Sequence, residues 1–214
     1  MEAIHFRSVL PMVFEHQTGI ESEIWNQDVT FEKGRLYLVE ADSGKGKSTF
    51  CSYVVGFRRD YKGSVLFDER NVASFTKSDW VDMRLYHISH LFQELRLFPE
   101  LTALENVQIK NNLTGFKSAQ EIETMLDSVM APEKKHQPVR TLSLGQRQRV
   151  AAVRALCQPF EFLLMDEPFS HLDNDTSRKV ADMILREVQA QDAGMIVTAL
   201  DKTDIFPFDV TLNL

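Results

Sequence analysis

GRLYLVEADSGKGKST, residues 34–49, decides how the rest of the chain is read. Gly34 to Ala41 is mostly apolar, the pattern of a central, buried strand. Two glycines follow within Asp42 to Gly46, and Lys47 to Phe57 then reads as a helix. A glycine-rich turn between strand and helix lets successive backbone N–H groups point inward, and the helix adds the positive end of its dipole. Lys47 supplies a point charge for phosphate, and Ser48 a hydroxyl suited to Mg²⁺. Residues Ser43, Gly44, Lys45, Gly46, Lys47, Ser48 and Thr49 are therefore candidate phosphate contacts, with Ser48 also a candidate metal ligand. Ala41 is the one departure from the GxxxxGK[ST] pattern, standing where its first glycine is expected.

Working outward, the second informative stretch is Phe162-Leu-Leu-Met-Asp166-Glu167. A short apolar run reads as a buried strand. It would carry both carboxylates to its C-terminal tip, where α/β sheets place their ligands. Asp166 suits the shell of a Mg²⁺ ion, and Glu167 suits orienting or deprotonating a water. The bland alternative is a strand that ends in an acidic turn. Further strands are expected at Ser64–Phe67, Tyr86–Phe92, Met195–Ala199 and Val210–Leu214. Helices are expected at Ser78–Arg84, Leu101–Lys110, Ser118–Met130, Leu144–Cys157 and Asp175–Gln191. Strands alternating with helices argue for an α/β fold with a parallel sheet.

LSLGQRQRVAAVRAL, residues 142–156, closely resembles the LSGGQ signature of the ABC ATPases and the helix that follows it. Pro168-Phe-Ser-His171-Leu-Asp173 resembles that family's D-loop. Phe92-Gln93, followed by LRLFPELTALENV at 95–107, resembles its Q-loop region. With the Walker A loop and the Walker B strand, these motifs stand in the family's order over nearly the whole chain. The resemblance implies a P-loop NTPase with a RecA-like parallel-sheet core, a small N-terminal antiparallel β part and an inserted helical subdomain. Residues 1–93 and 142–214 would form the core, and 94–141 the helical part.

The resemblance also implies ATP and Mg²⁺ as ligands and a head-to-tail homodimer, or a pair with another ABC subunit, enclosing two composite sites. Ser143, Gly145 and Gln146 would cover the nucleotide of the partner, Gln93 would contact Mg²⁺ or the attacking water, and Asp173 would touch the partner near its Walker loop. Glu94 to Pro99 would meet a transmembrane permease; the alternative for Leu97 and Phe98 is simple core packing. An N-terminal aromatic would stack on adenine. Phe14 is the candidate, with Phe6 and Trp25 nearby.

Two further departures mark the chain. Leu144 replaces the first glycine of the signature pair. Ala199 stands where the family carries its switch histidine, in the run Val197-Thr198-Ala199-Leu200-Asp201. Slow hydrolysis, a subunit that binds without turnover, or a substitute group such as His171 are the alternatives this leaves.

Composition narrows the class. The 214 residues suit one sizeable core. A net charge of -7 disfavours binding of bulk nucleic acid. No run approaches the roughly 18 apolar residues that would span a bilayer, and the first residues lack a signal-peptide core. The expected location is cytoplasmic, peripheral to the inner face of the membrane. Cys51 and Cys157 show no metal-binding spacing and read as buried free thiols. The chain is similar in type to the small ATPases of lipoprotein-release, macrolide-export and cell-division systems. The competing reading is a non-transport or regulatory ABC ATPase.

Overall fold

Five strands run parallel through the middle of the molecule in the order β6-β7-β8-β3-β9. They are β3 (Leu36–Glu40), β6 (Ile88–Leu91), β7 (Phe162–Asp166), β8 (Gly194–Ala199) and β9 (Val210–Asn213). A second sheet of four antiparallel strands, β2-β1-β4-β5, is built from β1 (Ala3–Pro11), β2 (Asp28–Glu32), β4 (Tyr61–Phe67) and β5 (Arg70–Asn71). The structure is a computed structural model that describes residues 1–17, 19–169, 172–200 and 203–214.

The central parallel strands β3, β7 and β8 are largely buried because each face of the sheet is covered there. Successive side chains point to opposite sides, so Leu163 and Met165 join one core cluster while Phe162 and Leu164 join the other. The first cluster packs against helices α3 (Ala103–Asn111), α4 (Ala119–Val129), α5 (Leu144–Leu156) and α6 (Asn174–Ala190). The second lies between the two sheets and takes in α1 (Lys47–Val54) and aromatic side chains such as Phe6, Phe31 and Phe50. Phe6 and Phe50 stand 5.2 Å apart, and Phe31 and Phe50 5.5 Å, at tilted ring angles favoured by aromatic quadrupoles. Both cysteines are buried and free.

Helix starts follow local chemistry. Thr76, Thr102, Ser118 and Ser143 each cap a helix in a reciprocal box with the residue three positions on; α2 (Lys77–Asp82) is the first of them. Helix α1 has no such cap. Its preceding residue is Gly46 at φ 108, so its first N–H groups remain free of a side-chain acceptor.

Of the boundaries that differ from the expectation, two have a clear physical cause. Helix α1 stops at Val54 rather than Phe57, because Gly56 takes φ +69 and a Cβ there would lie 2.3 Å from the Trp80 ring. Strand β6 begins at Ile88 rather than Tyr86, because Met83–His87 continue α2 as a wider π turn.

Gly63 controls how the antiparallel sheet closes. Strand β1 carries an irregularity between Arg7 and Leu10, with Ser8 at φ 49. Gly63 crosses it at φ +86, and a Cβ there would sit 2.3 Å from the Ser8 carbonyl oxygen. Gly63→Ala is expected to lower stability by about 2–4 kcal/mol through backbone strain and overpacking. An unchanged urea midpoint would show that the irregularity yields at no cost.

Candidate functional site

The loop after β3 and the tips of β7 and β8 meet at one end of the parallel sheet. The loop's root is fixed by backbone pairing: the Ala41 N–H donates to the Ala199 carbonyl at 3.1 Å. Gly44 at φ +82 and Gly46 at φ +108 turn the chain through conformations that side chains rarely adopt. Ala41 at the missing-glycine position is buried, only 8% exposed, so its methyl group is accommodated in the core.

Lys47 is almost fully buried. Its Nζ donates to the Ala41 carbonyl at 2.6 Å and the Asp42 carbonyl at 3.2 Å, and lies 3.4 Å from Glu167 Oε1. A buried ammonium is costly unless paired and hydrogen-bonded, and these contacts hold it at the loop. The other Glu167 oxygen accepts from Gln93 Nε2 at 3.0 Å. Glu167 itself sits at φ 49, with its N–H donating to the Thr198 carbonyl. A non-glycine residue in that region stores strain of the kind found at functional sites. A cleft of about 270 Å³ opens here, lined by Ser43, Gly44, Lys47, Ser48, Gln93 and Glu167 among others.

Asp166 lies beneath it, 5% exposed, and one carboxylate oxygen accepts from the Thr198 hydroxyl at 2.6 Å. Thr198 was missed by sequence reasoning, although it lies next to Ala199; its role depends on β7 and β8 being neighbours. Burial pushes the Cys51 thiol well above its ordinary pKa, with the nearby Asp166 charge adding to the shift, so it stays protonated.

The structure thus brings together Ser43, Gly44, Gly46, Lys47, Ser48, Thr49, Gln93, Asp166 and Glu167. Lys45 lies on the opposite wall of the loop, with its carbonyl accepting from Trp25 Nε1 at 3.3 Å. There a second cavity of about 630 Å³ is lined by Phe14, Trp25, Glu40, Asp42, Lys45 and Leu200, among others. Of the three aromatic candidates, Phe6 and Trp25 are buried in the core while Phe14 is half-exposed. A Cβ on Gly46 would lie 3.4 Å from the Phe14 ring. Glu40 Oε1 is buried with no hydrogen-bond partner among the described residues.

Ser143, Gly145, Gln146 and Asp173 line neither cavity. Ser143 caps α5: its hydroxyl accepts from the Gln146 N–H at 3.2 Å, and Gln146 Oε1 accepts from the Ser143 N–H at 2.9 Å. Leu144 projects beside them, 39% exposed. Asp173 caps α6, and the Thr176 N–H it accepts from holds its carboxyl below the usual range. All are at helix starts on the surface, where a second molecule can reach them. In the Glu94–Pro99 segment, Leu97 packs against the core, while Phe98 is 52% exposed. His171 and Asp201 lie outside the described residues.

No group of three or more His, Cys, Asp or Glu side chains able to hold a metal exists among the described residues. Asp166 and the Ser48 hydroxyl form a sparse donor set of the sort Mg²⁺ uses when substrate phosphates complete its shell.

A family model described as ABC transporter matches residues 24–170. The chain is 32% identical to the uncharacterized ABC transporter ATP-binding protein YclH of Bacillus subtilis, over 87% of this chain and 83% of that one. It is 31% identical to the macrolide export ATP-binding/permease protein MacB of Pasteurella multocida, over 85% of this chain but 30% of MacB. Among solved structures, it superposes on a dimeric, post-hydrolysis state of the ATP-binding cassette MJ0796 bound to ADP and Pi. The TM-score is 0.77 at 25% identity, covering 92% of this chain and 88% of that one.

Proposed function

The chain belongs to the ABC transporter family of ATP-binding proteins, and from that premise we propose that it binds and hydrolyses Mg-ATP as the motor of a transporter. It works as a head-to-tail dimer and drives a membrane-spanning partner. The observation that carries the reading is the convergence of Lys47, Gln93 and Glu167 at the mouth of the phosphate-sized cleft.

The loop N–H groups and the uncapped start of α1 would receive the phosphates, with Lys47 between them. Ser48, Asp166 and Gln93 would hold Mg²⁺, which supplies charge neutralisation as the bond to the leaving group breaks. The base of the nucleotide would lie against Phe14, in the larger cavity that Glu40 also lines. Glu167 is the base. Both of its oxygens are engaged, one by Lys47 and one by Gln93. A phosphate that draws Lys47 away frees Oε1 to take a proton from water, while Gln93 keeps the carboxylate oriented. Ser143, Gly145, Gln146 and Asp173 serve the second chain's nucleotide, which agrees with their distance from this chain's own cleft. The division into a core of 1–93 and 142–214 and a helical part of 94–141 is retained in this proposal, although side chains from both parts share one apolar cluster.

No helix among the described residues is long and apolar enough to cross a membrane. The membrane-spanning work therefore falls to other residues, which the ATP-binding/permease name of MacB illustrates for that protein. A second reading, a regulatory subunit that binds ATP without turnover, is favoured by Ala199 alone.

Glu167→Gln tests the composite site. The amide keeps the shape and removes the base, so ATP persists and holds two chains together. Light scattering with saturating Mg-ATP should show a dimer that the unmodified chain forms only transiently. A variant that remains monomeric sinks the head-to-tail model.

A further inference from the structure

A chain of contacts runs through one arginine from the phosphate cleft to the turn that carries Phe14. Arg58 follows the end of α1, and its side chain passes the Tyr53 ring at 5.9 Å to reach Thr49 near the helix start. Its Nη1 donates to the Thr49 hydroxyl at 3.1 Å. Thr49 lines the cleft beside Lys47 and Ser48. The other edge of the guanidinium is taken by Asp60: Nε donates to Oδ1 at 2.9 Å, and Nη2 to Oδ2. A two-pronged pair of this kind fixes the plane of the guanidinium. Asp60 also holds the turn Met12–Phe14, since its carbonyl accepts from the Met12 N–H at 2.9 Å. The same carbonyl accepts from the buried Tyr53 hydroxyl at 2.9 Å. Arg58 therefore stands between the residues proposed to receive the β- and γ-phosphates and the aromatic proposed to receive the base.

An exposed Arg–Asp pair alone contributes little to stability, and this one leaves donors over. A guanidinium has five N–H groups. Three are used here, and the other two meet no acceptor among the described residues. The Thr49 hydroxyl accepts from Arg58, so its single proton is left to donate, and no acceptor takes it among the described residues. Two donor groups thus lie 3.1 Å apart at the edge of the cleft, an arrangement that anionic oxygens complete. A ribose hydroxyl fits less well, because it brings a donor of its own. Resting on the reading of the cleft as an ATP site, we propose that Arg58 and Thr49 together bind the α-phosphate. It is the phosphate that lies between the two held at Lys47 and the base held at Phe14, and Asp60 presets the guanidinium for it.

Equilibrium titration with ATP and with ADP tests this on the unmodified chain, Arg58→Met and Lys62→Met. Arg58 is 41% exposed and Lys62 58%, so both variants should fold. The α-phosphate is common to the two nucleotides. Arg58→Met should therefore weaken both by the same factor, about tenfold, the loss of one charge-assisted contact. Lys62→Met removes a neighbouring cation and should change neither. A loss confined to ATP would place Arg58 at the γ-phosphate, and an equal loss in Lys62→Met would mean a general field effect; either overturns the proposal. The sharper probe is ATPαS, in which sulfur replaces one α-oxygen. The unmodified chain should bind one diastereomer more tightly, because only one presents oxygen to both donors, and Arg58→Met should erase that preference. A preference that is absent, or that survives in the variant, overturns the contact, since a merely structural role would not read the α-oxygens. Normal ATP binding with Arg58→Met unaffected overturns Arg58 alone and leaves the ATP site standing. An unmodified chain that binds neither nucleotide overturns the ATP reading and this contact with it.

Discussion

Ala199→His is expected to raise ATP turnover by about 10²- to 10³-fold over the unmodified chain, the usual effect of one preorganised donor on developing charge. The proposed base, Glu167, accepts from Gln93 and lies beside Lys47. What the site lacks is a donor on the γ-phosphate from the tip of β8, where Ala199 offers only a methyl group. The unmodified chain should accordingly bind Mg-ATP normally and hydrolyse it slowly. Leu200→His is the companion variant. Consecutive residues at a strand end point to opposite sides, and Leu200 lines the larger cavity with Asp42 and Lys45, so the two variants sample both directions. Single-turnover phosphate release checks the result. An unmodified rate already typical of the family would show that another group does the work, with His171 the first to replace. Tight ATP binding with no turnover in any of the three proteins would favour the regulatory reading.

Lys47→Ala should weaken ATP binding tenfold or more, with equilibrium fluorescence titration as the measurement. The argument is geometric. Lys47 Nζ is buried at the loop and held on two loop carbonyls and Glu167, so it is already positioned and loses little freedom when phosphate arrives. Its removal also leaves Glu167 Oε1 without its cation, which adds repulsion against an incoming anion. Two nearby cations, Arg58 and Lys62, are already paired with Asp60 and Glu15. Unchanged affinity would show that the loop is not where the phosphates bind.

Much of the fold was legible in consecutive residues. A continuous strand–turn–helix marked the candidate phosphate loop, and the capping boxes at Thr102, Ser118 and Ser143 are written within four positions each. Short apolar runs gave the central parallel strands, because a strand covered on both faces is mostly apolar. One slip had a distant cause: Trp80 packs over Gly56, where α1 has already ended.

The site divides in the same way. Local sequence determined which chemical groups this protein possesses: the loop with Lys47 and Ser48, the Asp166-Glu167 pair, the missing histidine at Ala199 and the net acidic charge. Tertiary structure alone decided which of them meet. Gln93 reaches Glu167, and Thr198 reaches Asp166, only because β6, β7 and β8 lie side by side. Phe14 rather than Phe6 or Trp25 is left half-exposed beside the loop because the other two fill the core. Periodicity and turn chemistry act over a few residues and are set by backbone sterics and hydrogen bonding. Strand order, and with it every long-range contact at the site, is set by which apolar faces bury one another across the whole chain.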